Sequence, residues 1–272
     1  MRAERISLHI HRHSHITLSL AISIALGELL IGCCGALELS RAGVVIGEVD
    51  PAGKPELSAA DAYPMMGHNG SFEIRSQILS SADEVETPST ESVLVEQWQP
   101  TDEPDVWHVS LIDENSGDVL SDHRMIRRAD GAVVVDSVVK HDRGLLVEMT
   151  PPKVVMPGTL RVGEEFVQDM RMRLPLIKDP SRVRASGTAQ LRMTLLGTQR
   201  IRSAGGQIIR AVRTHEVFTT KLGPSRSERE TDRWFVPGVG LVLEQWHERV
   251  TVLGIPIERT DRVLRRLDEP MQ

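Results

Sequence analysis

The chain has 272 residues, 26% of them charged, a formal net charge of −6 and two cysteines. A chain of this length can bury a core of its own, and the adjacent pair Cys33-Cys34 supplies no disulfide framework, because consecutive cysteines sit too close for a relaxed bridge. Arginines are spread singly through the second half instead of clustering, which argues against a nucleic-acid face, so no nucleic acid is expected as a partner.

Arg2, Arg5 and Arg12 precede an apolar run, Ile16 to Ile31. It falls short of the roughly 20 apolar residues that cross about 30 Å of hydrocarbon. A positive start, a short apolar run and a small residue predict a cleaved signal peptide over residues 1–32. Glu28 is the one residue out of place in it, since charge is costly in such a run. Leu30-Ile31-Gly32-Cys33 resembles the lipobox of bacterial lipoproteins. That resemblance implies acylation of Cys33, which would anchor the protein to a membrane of the cell envelope, facing the periplasm or the cell surface; each buried methylene adds about 0.8 kcal/mol. By resemblance to proteobacterial sorting, the absence of aspartate at Cys34 favours the outer membrane. His9, His11, His13 and His15 alternate as metal ligands might on a strand, but they leave with the signal.

Residues 33–70, the acylated cysteine and a stretch rich in Gly, Pro, Ala and Ser without sustained periodicity, are predicted to be a flexible tether. Gly43 to Val49 is its one candidate strand. Beyond Gly70 apolar residues recur with a period of two. Ser71 to Ser80, Ser92 to Gln99, Val106 to Asp113, Asp118 to Ile126 and Ala132 to Lys140 each read as a strand. Asp113 to Gly117 and Ala129-Asp130-Gly131 read as tight hairpin turns, because Asn, Asp and Gly tolerate positive φ. The proline-rich Thr150 to Gly158 interrupts the run, since proline cannot donate to a sheet ladder, and is predicted to cross between two halves of the sheet.

Glu165 to Leu176 gives the cleanest alternation: Phe166, Met170, Met172, Leu174 and Leu176 share one face, Asp169, Arg171 and Arg173 the other, and only Gln168 breaks the pattern. Ala189 to Ile201, Gln207 to Thr220, Arg229 to Val236, Leu241 to Leu253 and Glu258 to Leu267 follow. With short turns and no amphipathic helix, the expected fold is all-β over residues 71–267, about ten antiparallel strands in a curved sheet or half-barrel, ahead of a tail at 268–272.

Trp234-Phe235-Val236-Pro237-Gly238-Val239-Gly240-Leu241-Val242 is similar to a W-[YF]-x-P-G-V-G-x-V signature of uncharacterised bacterial envelope proteins, including the TapB-like group. The segment Pro152 to Gly158 followed by Val162-Gly163-Glu164-Glu165-Phe166 resembles their proline-rich crossing and following strand. The resemblance spans roughly Ser71 to Leu267. It implies a strongly curved antiparallel sheet in an envelope protein and brings no catalytic residue. Read by itself, the signature is a turn: Pro237 presets φ and Gly238 allows it to be positive.

Catalytic motifs are not found. His247-Glu248 begins H-E-x-x-H, but Thr251 stands where the second zinc ligand belongs. Ser137-Val138-Val139-Lys140 fits S-x-x-K yet lies in a strand with no K-T-G after it. No nucleophile elbow, phosphate loop or dinucleotide fingerprint occurs. His108, His123, His141 and His215 read as surface histidines of a sheet, and Asp113, Asn115 and Asp118 as turn residues ahead of calcium ligands. No catalytic residue, metal or cofactor is expected.

The remaining candidate is apolar. Phe166, Met170, Met172, Leu174, Leu191, Met193 and Leu195 form a methionine-bearing face on two neighbouring strands, suited to adaptable packing. It is either core against a second sheet or the lining of a groove. The leading expectation is a non-enzymatic envelope lipoprotein that binds an apolar or amphipathic ligand, or docks an envelope protein, on this curved face. The alternatives are a hydrolase of envelope polymer using carboxylates such as Asp232 or Glu244, paired about 5 to 9 Å apart, and a purely structural surface protein.

Overall fold

The computed structural model describes residues 44–53, 56–64, 70–80 and 90–267. The signal segment, Cys33 and the C-terminal tail lie outside the described residues.

Period-two patterning delivers strands where expected. Val106–Asp113 (β5) and Glu165–Leu176 (β10) have the predicted bounds, and Gly70–Ser80 (β3), Thr90–Pro100 (β4), Val119–Arg127 (β6), Val133–Lys140 (β7), Ile208–Leu222 (β12), Gly240–Val252 (β14) and Ile255–Arg266 (β15) differ by a few residues at most. Asp179–Arg202 (β11) and Ser225–Val236 (β13) start earlier than predicted. The turn between β13 and β14 is the one read from the signature, with φ of +82° at Gly238 and +95° at Gly240. At the β5–β6 turn the Asp113 carboxylate accepts from the Asn115 and Ser116 amides at 2.9 and 3.2 Å, so its oxygens serve the turn.

The barrel strands pair in chain order as an antiparallel meander, and the last, β15, returns to the first, β3, with Arg266 opposite Phe72 and Glu258 opposite Ser80. β11 pairs with both β10 and β12. Twelve strands therefore close into a barrel with one extra strand, Val45–Asp50 (β1), on the free side of the β11 C-terminal half. The half-barrel expectation is corrected: closure rests on pairing between strands far apart in sequence, which removes the exposed sheet edges.

The proline crossing is corrected as well. Thr150 to Met156 lies inside one strand, Leu145–Met156 (β8), which pairs with β7 on one side and β10 on the other. A ladder broken by Pro151 and Pro152 is completed by a side chain. The Gln168 amide donates to the Pro152 carbonyl at 2.8 Å and its oxygen accepts from the Val154 N–H at 2.9 Å. The residue that broke the apolar alternation of β10 thus replaces the missing backbone bonds. Gln168→Leu is expected to cost about 1–3 kcal/mol, because both backbone groups are left without a partner; urea unfolding of the two proteins measures it.

Residues 45–62, assigned to a tether from sequence, are packed where they are described. β1 joins the sheet, as Gly43 to Val49 suggested, and Gln199 donates to the Gly47 carbonyl at 2.9 Å. Gly197 lets this segment approach: a Cβ there would stand 2.4 Å from the Asp50 carbonyl oxygen. Glu56–Ser58 (β2) pairs with Thr159–Arg161 (β9), and Ser58 caps the short helix Ala59–Ala62 (α1) through a capping box with Asp61. Leu57, Ala59 and Ala62 are fully buried, and the Tyr63 ring packs 6.0 Å from that of Phe235. This segment plugs one end of the barrel.

A main core of inward-facing apolar residues fills the barrel. A smaller one, Val45, Ile201, Ala211, Trp234, Val242 and Leu243, lies on the far side of the wall, with the Trp234 indole donating to Gln199 at 3.0 Å. Outward positions are polar: Asp169, Arg171 and Arg173 on β10, and Glu228, Glu230 and Asp232 on β13. These strands carry no apolar belt of the kind that faces lipid in membrane barrels.

Candidate functional site in the barrel interior

Strand register determines what faces inward. Phe166, Met193, Glu216, Thr231, Trp246 and Arg262 stand opposite one another on six successive strands. In the next inward row stand Gln168, Leu191, Phe218, Arg229, Glu248 and Thr260. The interior is therefore divided: a methionine and leucine wall on β8, β10 and β11 faces a charged wall on β12 to β15.

The seven residues predicted to bind a ligand are all on the apolar wall. Met170, Met172, Leu174, Leu191, Met193 and Leu195 are buried, and Phe166 is half-buried against them. They do not line an open groove on a sheet face, because the sheet closes over them; the groove expectation is corrected to a barrel core. A depression of about 620 Å³ crosses the outer wall at Thr150, Arg171, Thr188 and Lys221, and Met170 alone of the seven borders it.

Near the plugged end the charges are paired. Glu216 accepts from Lys153 Nζ at 2.7 Å and from Arg233 at 2.6 Å, and Arg233 also bonds Glu244. Burial pushes the Glu216 carboxyl up, but Arg233 and Lys153 outweigh it and hold it down at about 2. Burial lowers the Lys153 pKa against the pull of Glu216. Lys153 also lies 4.6 Å over the Phe218 ring. Burial raises Tyr63 above the ordinary phenol value, against the opposing pull of Arg233. Glu96 lacks a basic partner at bonding distance among the described ion pairs, and burial raises it to about 7, against the weaker pull of its hydrogen bond with Trp98 and of Arg266.

Glu96 carries a pH signature. Its folded pKa lies above the unfolded value of 4.5, so the native state holds the proton longer, and the associated stability is present below pH 4.5 and lost as pH rises through about 7. Glu96→Gln is expected to match the wild type at pH 4 and exceed it at pH 8 by about 1–3 kcal/mol in denaturant unfolding.

The other half of the interior is more open. Arg229 keeps 33% of its side-chain surface accessible, against 2% for Glu216, although both point inward. Lys140, Phe218, Trp246, Glu258 and Arg262 face the same space and are likewise only half-buried. Since they face away from the outer surface, what reaches them is the space inside the barrel. The Trp246 ring is held between the guanidinium groups of Arg229 and Arg262, at 5.1 and 5.3 Å. Arg229 bonds Glu248 at 2.7 Å.

Other predicted positions resolve by parity. Asp232 faces outward, bound by Arg213 at 2.9 Å and His215 at 3.3 Å, whereas Glu244 faces inward, so the two carboxylates are on opposite sides of the wall and form no catalytic pair. Ser137 and Lys140, three residues apart on one strand, also face opposite sides. His123 is corrected from a surface histidine: it points inward beside Ser121, at 3.1 Å, and burial together with Lys140 lowers it to about 3. His141 and Ser110 both bond Asp122, at 2.6 and 2.5 Å. Both partners go to the carboxylate, so the histidine is not placed to take the serine proton. His247 bonds Asp261 at 2.7 Å on the outer face.

Sequence reading missed the charged wall. Its one available signal was phase: Lys140 shares parity with buried Val138, and Trp246 and Glu248 with buried Val250.

No protein-family model matches this sequence, and no curated protein is significantly similar to it. Two solved structures resemble it. One, from Bacteroides fragilis, is described as an exported protein with a YmcC-like fold; it is 14% identical, the match covers 75% of this chain and 97% of that one, and the TM-score is 0.37. The other, from Parabacteroides distasonis, is described as a lipoprotein; it is 9% identical, with 72% and 94% covered and a TM-score of 0.33.

Proposed function

We propose that this chain is a lipid-anchored protein of the bacterial cell envelope, non-enzymatic, which holds an amphipathic ligand inside its barrel. The observation that carries the reading is the contrast within the interior: one half is packed and plugged, and in the other inward-facing Phe218, Arg229, Trp246 and Arg262 remain partly accessible. Barrels that enclose such space are common ligand carriers. The partly accessible Phe218 and Trp246 rings supply an apolar surface for such a ligand, and burial of about 25 cal/mol per Å² of its chain would drive uptake. The envelope assignment is supported by the signal segment, the lipobox resemblance at Cys33 and the resemblance of Trp234 to Val242 to envelope proteins.

Native mass spectrometry of the full chain, purified from bacterial membranes in mild detergent, tests this. A retained apolar mass displaced by N-phenyl-1-naphthylamine is expected. A chain that carries no such mass and takes up no probe would contradict the reading and favour docking through the outer wall.

A further inference from the structure

Inside the accessible half, cations outnumber carboxylates. Lys140 at the end of β7, Arg143 in the turn after it, Arg229 on β13 and Arg262 on β15 converge there, facing Glu248 and Glu258. Asp142, bonded to Arg143 at 2.6 Å, sits largely outside. Arg229 is neutralised by Glu248, but no hydrogen bond or ion pair satisfies Lys140 among the described residues. Among the described residues, buried N–H groups are also left without an acceptor: Nε of Arg229, Nε of Arg262, one terminal nitrogen of Arg143 and the Trp246 indole.

Buried donors are ordinarily paired, and a group of them left open on one cluster marks a place where an acceptor belongs. Cations held in low dielectric repel one another, which costs stability in the empty protein. The effect is visible at Lys140, whose pKa is lowered to about 8 by burial and by Arg229. Burial and the neighbouring Arg229 lower Arg262 too, and burial raises Glu258. An anion placed among these groups would relieve the repulsion and accept the orphaned hydrogen bonds at once.

We infer that the Lys140, Arg143, Arg229 and Arg262 cluster, with the Trp246 indole N–H, binds the anionic head group, carboxylate or phosphate, of the amphiphile held in the accessible half of the barrel. This rests on the luminal reading above and adds the chemistry of the ligand's polar end. Guanidinium groups suit either anion because their forked donors match paired oxygens. Trp246, stacked between two guanidinium groups, fixes their orientation and adds a donor.

The test uses the full chain in mild detergent and three probes of one chain length: decyl phosphate, decanoate and uncharged 1-decanol, each titrated by calorimetry. At least one charged probe is expected to bind about tenfold or more tightly than 1-decanol, the gain of hydrogen bonds to a charged group, and the tighter of the two identifies the head group as phosphate or carboxylate. Lys140→Gln and Arg262→Gln, neither of which breaks an ion pair among the described residues, should each remove about tenfold of that advantage and leave 1-decanol binding unchanged. Equal affinity for all three probes, or an advantage that survives both substitutions, overturns the anion inference and leaves luminal binding standing. Failure of all three to bind overturns the luminal reading itself. Inorganic phosphate binding as tightly as decyl phosphate would overturn the assignment to an amphiphile's head group.

Discussion

Glu216→Ala is expected to destabilise the barrel by about 3–5 kcal/mol, the cost of leaving buried charge uncompensated. Glu216 is 2% exposed and is the shared acceptor of Lys153 and Arg233. Arg233 retains Glu244 when Glu216 is removed, but Lys153 is left with no carboxylate. A double variant, Glu216→Leu with Lys153→Met, is expected to recover a large part of the loss, because replacing both partners by apolar groups removes the desolvation cost along with the attraction. The same residue sets an acid limb. Its folded pKa, about 2, lies below the unfolded value of 4.5, so its contribution is full above pH 4.5 and is lost as pH falls through about 2. In Glu216→Gln that limb flattens. Urea unfolding at pH 7 and pH 3 measures both effects.

Leu57→Ala is expected to cost about 2–5 kcal/mol, the range for truncating a buried leucine. Leu57 is 0% exposed, on the short strand that pairs with β9 and leads into α1. The loss should be felt locally first. Amide hydrogens of residues 56–63 are expected to exchange faster than those of the barrel strands, because this segment is held by packing and a three-residue ladder instead of continuous strands. Leu253→Ala, at a residue 79% exposed, serves as the control and should change stability by less than about 0.5 kcal/mol. A Leu57→Ala protein as stable as this control would mean that the segment is the tether its composition suggests.

What the sequence revealed and concealed follows from periodicity. β10 was legible because one face is apolar and the other charged. β13 was harder: in Ser225–Val236 charged residues occupy both parities, Arg229 and Arg233 inward, Glu228, Glu230 and Asp232 outward, so no alternation distinguishes lumen from exterior. The luminal cluster was hidden for the same reason. β8 was concealed by Pro151 and Pro152, and the side chain that makes them tolerable, Gln168, comes from the neighbouring strand. Closure was illegible because curvature alone does not tell whether β15 reaches β3, whose paired residues are nearly two hundred positions apart. Leu57, Ala59 and Ala62 looked like tether because small and turn-prone residues surround them; their burial depends on an end of the barrel that no local pattern announces.

The central claim is that an amphiphile enters the accessible half of the barrel beside Trp246. Fluorescence quenching by a brominated fatty acid tests it most directly, because bromine quenches an indole only at short range. The chain has four tryptophans; besides Trp246, Trp98 is buried in the main core, Trp107 stands in one row with Met125, Val135 and Lys153 near the paired charges of the plugged end, and Trp234 lies in the outer core. Saturable quenching in the wild type that is lost in Trp246→Phe is the result this account predicts. Quenching that persists in Trp246→Phe, or none in either protein, would contradict it.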